Sequence, residues 1–231
     1  MPRMLPQPDG SMTDRLQQDV RYTRVAIILH WLIAVFILFN LALGYFMEDF
    51  PAPVKFLVLP LHISSGMTVL ALTLVRVAWR LVYRPPEHDP PLSLPESVAA
   101  RSVHLMLYVG MLLMPLSGWA ILSAHPAPGT TGFAAEQATR PAPPAGTTPK
   151  PAGAMQLWWT VSLPPLAPIQ KIGSTPGGLA PQKELHEELV GAHGIGGWIM
   201  IALLALHIGG ALKHQWIDRI PELRRMSLRR S

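Results

Sequence analysis

Four long apolar segments, separated by polar or proline-rich stretches, dominate the pattern of this chain. They cover approximately residues 25–47, 54–82, 102–124 and 191–216. Each is long enough to cross a hydrocarbon core of roughly 30 Å, which takes about 20 residues of helix. The pattern therefore predicts an all-α membrane protein: a four-helix bundle with two short connections and one long one.

The segments divide the chain into five parts. We expect a leader at 1–24, transmembrane helices 1–3 within 25–124, a loop at 125–185, transmembrane helix 4 at 186–218 and a basic tail at 219–231. The first part of the loop, through about residue 155, is rich in Pro, Ala, Gly and Thr, which predicts a flexible insertion. Trp158 and Trp159 in its second part favour a segment lying in the membrane interface.

Composition and charge narrow the class further. Hydrophobic residues make up 49% of the chain and charged residues 14%, which is typical of an integral membrane protein. Fourteen of the 19 Lys and Arg residues fall in the N-terminal leader, at the end of the second span with the connection after it, and from the end of the fourth span onward, so both termini are expected in the cytoplasm. These basic residues flank apolar spans, so we expect membrane lipid and no nucleic acid as a partner. The absence of cysteine excludes disulfides, iron–sulfur clusters and covalently attached c-type haem.

Four of the nine histidines, His30, His62, His193 and His207, lie inside the apolar spans. Imidazole in hydrocarbon is costly unless it has a partner or binds a metal. At about 1.5 Å per residue, His30 and His207 fall near the cytoplasmic side, and His62 and His193 near the external side. The 14 residues from His193 to His207 span about 21 Å and keep both rings on one helix face. The depths favour two haem b groups, each held by two histidines from facing helices.

Three alternatives to this interpretation are a packing or proton-relay role, a zinc site and a membrane transporter. A single histidine in an apolar helix more often packs or relays a proton than binds a metal, and zinc prefers ligands clustered within one or two turns. A histidine-lined membrane transporter would be expected to show carboxylates at the midplane. The spans contain no Asp or Glu at depth, and four histidines that pair by depth favour ligation.

Four stretches of the chain are similar to the prokaryotic cytochrome b561 family of dihaem membrane proteins. They are LHWLIAVFILFNLALGYFM, LHISSGMTVLALTLVRVAWRL with the following YRPP, SVHLMLYVGMLLMPLSGWAILSA, and AHGIGGWIMIALLALHIGGALKHQWIDRIPELRRM. The resemblance implies that His30, His62, His193 and His207 are the axial ligands of the haem irons. It also implies a multi-pass protein of the bacterial inner membrane, with the long loop in the periplasm.

One departure from the family pattern concerns the start of the fourth span. Family members often have a His-Glu pair there, whereas here His186 and Glu187 precede His193 by two helical turns. His186 therefore lies on the same stripe and competes as a ligand for the external haem. We prefer His193, because a separation of 21 residues from His207 would cover about 31 Å, the whole hydrocarbon thickness.

Several other residues are candidates for contacts with the cofactor. Arg76 and Arg80 lie on one helix face and suit haem propionates, although they are equally suited to anchoring at the membrane surface. His104 is placed to bind a quinone or a propionate, or to cap its helix. Gly66 leaves room for a porphyrin or for close helix packing. His125, in a polar loop, is expected to be solvated, as is His88.

These features predict an electron-transfer cytochrome. We expect it to pass electrons between ubiquinone or another membrane quinone and a periplasmic partner, either a redox protein or superoxide. Lys171 and Lys183 near the external mouth would attract an anion such as superoxide. The alternative within redox chemistry is a haem b membrane subunit of a dehydrogenase or hydrogenase complex.

Overall fold

The computed structural model describes residues 22–83, 93–139, 155–219 and 222–228. Its elements are, in chain order, α1 (Arg24–Phe46), α2 (Ala52–Val82), α3 (Leu94–Ser123), α4 (Thr131–Thr139), β1 (Met155–Leu157), β2 (Val161–Leu163), α5 (Ala167–Ile172), α6 (Leu179–Trp216) and α7 (Glu222–Arg225). Short 3-10 turns follow α1 and precede α6. The helices α1, α2, α3 and α6 are each long and apolar enough to cross a membrane. The predicted four-helix membrane fold is confirmed.

The long helices run alternately up and down the bundle. Trp79 near the end of α2 donates a hydrogen bond to Thr23 at the start of α1, over 2.9 Å. Lys213 near the end of α6 forms an ion pair with Glu96 at the start of α3, over 2.7 Å. These helix termini therefore share one end, which we call the basic end. Residues 124–178 connect α3 to α6 at the opposite end, which we call the loop end.

Two of the predicted helices are longer than the apolar pattern indicated. The helix α3 begins eight residues before the predicted span, and α6 begins twelve residues before residue 191. Pro95 lies in the first turn of α3, where its missing N–H costs no hydrogen bond. Polar turns thus continue both helices beyond the apolar windows, so the connection between α3 and α6 is shorter than the predicted loop 125–185.

The connection at the loop end is more structured than expected. Within the predicted flexible insertion, Thr131–Thr139 form the helix α4. The strands β1 and β2 pair antiparallel, with Gln156 opposite Ser162, and add a small hairpin to the expected all-α fold. Residues 140–154 lie outside the described residues, as do 1–21 of the leader, 84–92 with Arg84 and His88, and 220–221 and 229–231 of the tail.

The hairpin lies against the outside of the bundle, with Trp158 and Trp159 both exposed. Trp158 and Trp159 at its tip have φ of 50° and 59°, a left-handed conformation that is uncommon for residues other than glycine. The backbone N–H of Trp158 donates to Ser64 and its indole N–H to Thr68, over 2.9 and 3.0 Å. The indole also packs edge-on against Phe36, with ring centroids 6.3 Å apart. Phe36 and Thr68 lie near the middle of α1 and α2, so the tip of the hairpin packs on the bundle surface at about mid-height of these helices.

The core lies at mid-height between the four long helices. It is formed by buried apolar side chains that all four helices contribute: Ile33, Ile37, Val69, Leu107, Met111, Met200 and Leu203. The helices α3 and α6 approach closely because Gly110 faces Met200 and Gly196 faces Met114, where a Cβ atom would overlap the thioether. Such small-residue contacts allow close packing of membrane helices, where no hydrophobic force drives helix association.

Candidate functional site

The four intramembrane histidines form two pairs between different helices. The ring centroids of His30 on α1 and His207 on α6 are 6.0 Å apart, at an interplanar angle of 70°. Those of His62 on α2 and His193 on α6 are 6.1 Å apart, at 74°. One pair lies toward the basic end and the other toward the loop end, which is the pairing expected from their depths in the sequence.

The pair at the loop end is oriented by hydrogen bonds. His62 Nδ1 lies 3.1 Å from the backbone carbonyl of Asn40, which can only accept, so Nδ1 carries the proton. His193 Nδ1 lies 2.8 Å from the hydroxyl of Ser117. That hydroxyl donates its own hydrogen to the carbonyl of Met114 over 2.9 Å, so it accepts from His193. In both rings Nε2 is left with a free lone pair, as a metal ligand requires.

The amide of Asn40 fixes the helix turn that carries His62. Its nitrogen donates to the backbone carbonyl of His62 over 2.5 Å and to the hydroxyl of Ser65 over 2.8 Å. A Cβ atom on Gly66 would come within 3.3 Å of this nitrogen. The neighbour that Gly66 accommodates is therefore the Asn40 amide, which favours the helix-packing role considered for this glycine.

The pair at the basic end is surrounded by positive charge. Arg76 donates from Nη1 to the carbonyl of Ala26, one turn before His30, over 2.8 Å, and from Nε to the hydroxyl of Tyr108 over 3.0 Å. The guanidinium of Arg80 lies over the Tyr108 ring, 5.8 Å from its centroid. In the part of the chain that the structure describes, no carboxylate lies within ion-pair distance of either arginine.

His104 lies directly against the basic-end pair. Its ring centroid is 5.0 Å from that of His207, at an interplanar angle of 84°. Its Nδ1 donates to the carbonyl of Ala100 one turn earlier, over 2.6 Å. The side chain is exposed. This position suits the proposed contact with a quinone or a propionate, and it also stabilises the first half of α3.

The ring of His62 contacts the ring of His193, and His186 has a different ring neighbour. Its ring contacts that of His125 instead, with centroids 5.2 Å apart. The geometry therefore favours His193 as the partner of His62. His125, expected to be solvated, has an aromatic neighbour. Lys183, considered for anion attraction, lies 3.7 Å from Glu187, which reduces its net field.

The two intramembrane pairs fit the axial ligation of a metal. Metal–nitrogen bonds of about 2 Å place the centroids of two opposite imidazoles roughly 6 Å apart. Both pairs have this separation. An apolar cleft of about 370 Å³ lies between α1 and α6, and the hydroxyl of Tyr45 is the only polar side-chain group that lines it. A chain with two such pairs, apolar surroundings and uncompensated arginines suits haem, which has apolar edges and two carboxylates.

Three residues near the histidine pairs were not predicted from the sequence: Asn40 and Ser117, which bond to ligand candidates, and Tyr108, which contacts Arg76 and Arg80. Asn40 had a visible signal, because it is the one amide side chain in an otherwise apolar span. Ser117 and Tyr108 had none, since hydroxyl groups are common in membrane helices and often bond to their own backbone. Their roles depend on contacts between helices that sequence spacing does not reveal.

A family profile and several named relatives match this chain. The family profile described as prokaryotic cytochrome b561 matches residues 21–227. A protein named cytochrome b562 from Cereibacter sphaeroides is 38% identical over 109 residues, which are 45% of this chain and 67% of that protein. Cytochrome b561 homolog 2 of Escherichia coli is 26% identical over 215 residues, 89% and 90% of the two chains. Cytochrome b561 homolog 1 of the same organism is 29% identical over 105 residues, 45% and 60%. The chain therefore belongs to the prokaryotic cytochrome b561 family, as a membrane b-type cytochrome of electron transport.

Proposed function

We propose that the protein binds two haem b groups and passes single electrons between a membrane quinone and a periplasmic partner at the loop end. The observation that carries this proposal is the pair of interhelical histidine contacts, His30 with His207 and His62 with His193, at 6.0 and 6.1 Å. Each pair would hold one haem iron from both sides. Haem supplies one-electron chemistry, and the protein supplies binding, orientation and local charge.

Arg76 supports the presence of an anionic cofactor at the basic end. A cation inside a membrane bundle is expensive unless it is paired. Within the described ranges Arg76 has only neutral partners, the carbonyl of Ala26 and the hydroxyl of Tyr108. A propionate carboxylate of a haem bound by His30 and His207 would supply the missing negative charge.

The apolar core supports two separate redox centres. His193 and His207 are about 21 Å apart along α6. Between their levels lie the buried side chains of Ile37, Met111 and Met200, which exclude water from the middle of the bundle. Each centre would therefore exchange electrons with its own side of the membrane and with the other centre, without a water path between them.

The assignment of sides rests on charge. Most Lys and Arg residues lie in the termini and the second connection, which favours a cytoplasmic location for the basic end. His104, exposed beside His207, is a candidate hydrogen-bonding partner for ubiquinone or another quinone. The partner at the loop end is a redox protein or superoxide. For superoxide, Lys171 is the better-placed attractor, because Lys183 is already near Glu187.

The test is haem content per chain, from the dithionite-reduced minus air-oxidised visible spectrum of the purified protein. Wild type is expected to hold two b-type haems. Single alanine substitutions at His30, His62, His193 or His207 should each reduce the content to one. His214→Ala is the matched control, because this histidine on α6 contacts Asp218, away from both pairs, and should leave two haems.

Two results would overturn the proposal. One is a well-folded wild-type protein with a single haem or none. The other is the loss of the same haem in His62→Ala and in His207→Ala, because the proposal assigns these two residues to different haems. Reduction of the haems by ubiquinol in liposomes, measured at the same absorbance bands, tests the quinone as electron donor separately from haem content.

A further inference from the structure

Another histidine pair lies at the loop end, beyond the proposed external haem site, between the connection after α3 and the start of α6. His125 follows the end of α3 by two residues, and His186 lies in the second turn of α6. Their ring centroids are 5.2 Å apart, at an interplanar angle of 50°. His186 precedes His193 by seven residues, or about 10.5 Å of helix. This pair is therefore a separate feature at the mouth of the bundle.

The ring of His186 has a nitrogen atom that lacks a hydrogen-bond partner among the described residues. This atom, Nδ1, is buried. Buried polar atoms in proteins are almost always bonded, and an exception calls for an explanation such as an ion. His104 offers a contrast, because its ring contacts another histidine at 5.0 Å but its Nδ1 is bonded to Ala100.

The separation of the two rings matches ligands on neighbouring positions of one metal ion. With metal–nitrogen bonds of about 2 Å, two imidazoles at a tetrahedral angle have ring centroids roughly 5 Å apart, and opposite imidazoles roughly 6 Å apart. The pairs proposed for haem have the larger separation, and His125 with His186 has the smaller one. The two kinds of pair thus fit two kinds of coordination.

The donor set indicates which ions would bind. Neutral imidazole suits zinc, copper and nickel, whereas calcium and magnesium prefer oxygen ligands. The nearby carboxylate of Glu187 lies 3.7 Å from Lys183, and both side chains are largely exposed. Two protein ligands therefore leave positions for water, so that the ion would be exchangeable.

A competing cation site at the basic end is already filled by a side chain. Glu96, His214 and Asp218 are close enough to share an ion. The ammonium of Lys213, however, lies 2.7 Å from a carboxylate oxygen of both Glu96 and Asp218. A metal would have to displace this lysine, whereas Nδ1 of His186 at the loop end has no hydrogen-bond partner among the described residues.

We propose that His125 and His186 bind one divalent transition-metal ion of the zinc, copper and nickel class at the loop end. The site is independent of the haem ligands, so it stands whether or not the proposed electron path is correct. It would place a solvent-accessible metal about two helical turns from His193, on the side of the proposed periplasmic partner.

The test uses the full chain with its haems, purified through a tag without histidine and treated with a chelator. Zn²⁺ is titrated by calorimetry, and Cu²⁺ is added for electron paramagnetic resonance. Wild type is expected to bind one Zn²⁺ per chain, with affinity reduced at least about tenfold in both His125→Asn and His186→Asn. The Cu²⁺ signal should show splitting from two nitrogens in wild type and one in each variant. Lys183→Ala, one turn from His186, is the matched control and should bind as wild type does.

Three results would overturn the proposal: no Zn²⁺ binding by wild type, equal binding by wild type and a variant that combines His125→Asn with His186→Asn, or a loss of binding in His214→Asn alone. The last result would assign the ion to the basic end. The haem spectrum of each variant reports folding, so a variant that retains its haems but loses the ion supports the site.

Discussion

The two intramembrane histidine pairs are held in different ways. At the loop end, His62 and His193 each give the Nδ1 proton to an acceptor of the protein, the Asn40 carbonyl and the Ser117 hydroxyl. At the basic end, the described residues provide no hydrogen bond to the rings of His30 or His207. Positive and aromatic groups surround that pair instead: Arg76, Arg80, Tyr108 and His104.

This difference separates two ways of tuning a haem. A hydrogen bond to Nδ1 fixes the tautomer and orientation of a ligand, and so affects how tightly the metal is held. A nearby charge changes the relative energy of oxidised and reduced iron, and so affects the potential. The loop-end pair is therefore expected to be more sensitive to hydrogen-bond variants, and the basic-end pair to charge variants.

The largest effect is expected from Ser117→Ala. The change removes the acceptor of His193 Nδ1 and leaves a partly buried N–H unpaired. Loss of such an outer partner typically costs about 10–100-fold in metal affinity. Haem retention at the His62–His193 site should fall by that factor in competition with apomyoglobin, with the other site unchanged. Ser117→Thr, which keeps a hydroxyl, and Ser97→Ala on the same helix are the controls, and equal loss from both sites would contradict the comparison.

Arg76→Gln should act on the other pair and on its potential. Removing a positive charge beside a haem disfavours the reduced state, so the midpoint potential of the His30–His207 haem should fall. A decrease of roughly 60 mV corresponds to a tenfold change in a one-electron equilibrium. Redox titration followed at the visible bands measures it, and Arg76→Lys should retain most of the wild-type potential. An equal shift in both haems, or none, would show that the charge is not specific to the basic end.

Gly44 and Gly118 face the two histidines of the loop-end pair, and the space beside each glycine differs. A Cβ atom on Gly44 would lie 3.0 Å from Cε1 of His62, whereas one on Gly118 would lie 3.4 Å from Cε1 of His193. The first contact forces a shift and the second is ordinary. Gly44→Ala should lower the free energy of unfolding by about 1 kcal/mol and broaden the haem band, while Gly118→Ala should have little effect. Thermal melting in detergent, followed at the Soret band, would contradict this if the order were reversed.

The smallest effect concerns the ion pairs at the basic end. The hydrogen bond from Lys213 holds the pKa of Asp218 below its ordinary value. A lowered pKa in the folded state stabilises the fold above the unfolded pKa, near 4, and this contribution is lost as the pH falls through the folded value. Asp218→Asn should therefore melt with a weaker dependence on pH below about 4 than wild type. Because the carboxylate is exposed, the difference should be smaller than for the variants above, and Glu136→Gln serves as a control.

The sequence predicted helices well where an apolar run ends sharply. The bounds of α1 and α2 lie within two residues of the expected spans, because charged residues and prolines follow directly. The early starts of α3 and α6 were not predicted, since hydropathy identifies the part of a helix in hydrocarbon and not its polar continuation. The hairpin at Trp158 was also missed. It depends on bonds to Ser64 and Thr68, which are 94 and 90 residues away from Trp158 in the chain. No local sequence pattern indicates contacts over such a distance.

The candidate site was predictable to a similar extent. Depth and helical period were enough to predict that His30 pairs with His207 and His62 with His193. The rise and the rotation per residue are constant along a regular helix, so both can be counted from the sequence. The groups around them depend on how neighbouring helices are rotated, so the bond from His193 to Ser117 and the bond from Arg76 to Tyr108 could not be predicted. That the two pairs bind haem stays a prediction, as do the roles proposed for Arg76 and His104.

The helices that carry the pairs also determine when each site can form. The helices α3 and α6 interlock through Gly110 with Met200 and Gly196 with Met114, while an apolar cleft separates α1 from α6. Each histidine pair joins a ligand from α1 or α2 to one from α6, the last of the four spans in chain order. During synthesis, His30 and His62 are therefore made before the histidines of α6 with which they pair. Neither pair is complete until this last span has been inserted. A haem held by either pair could therefore be bound only after the whole bundle has inserted, and it would join an early-made helix to the last one.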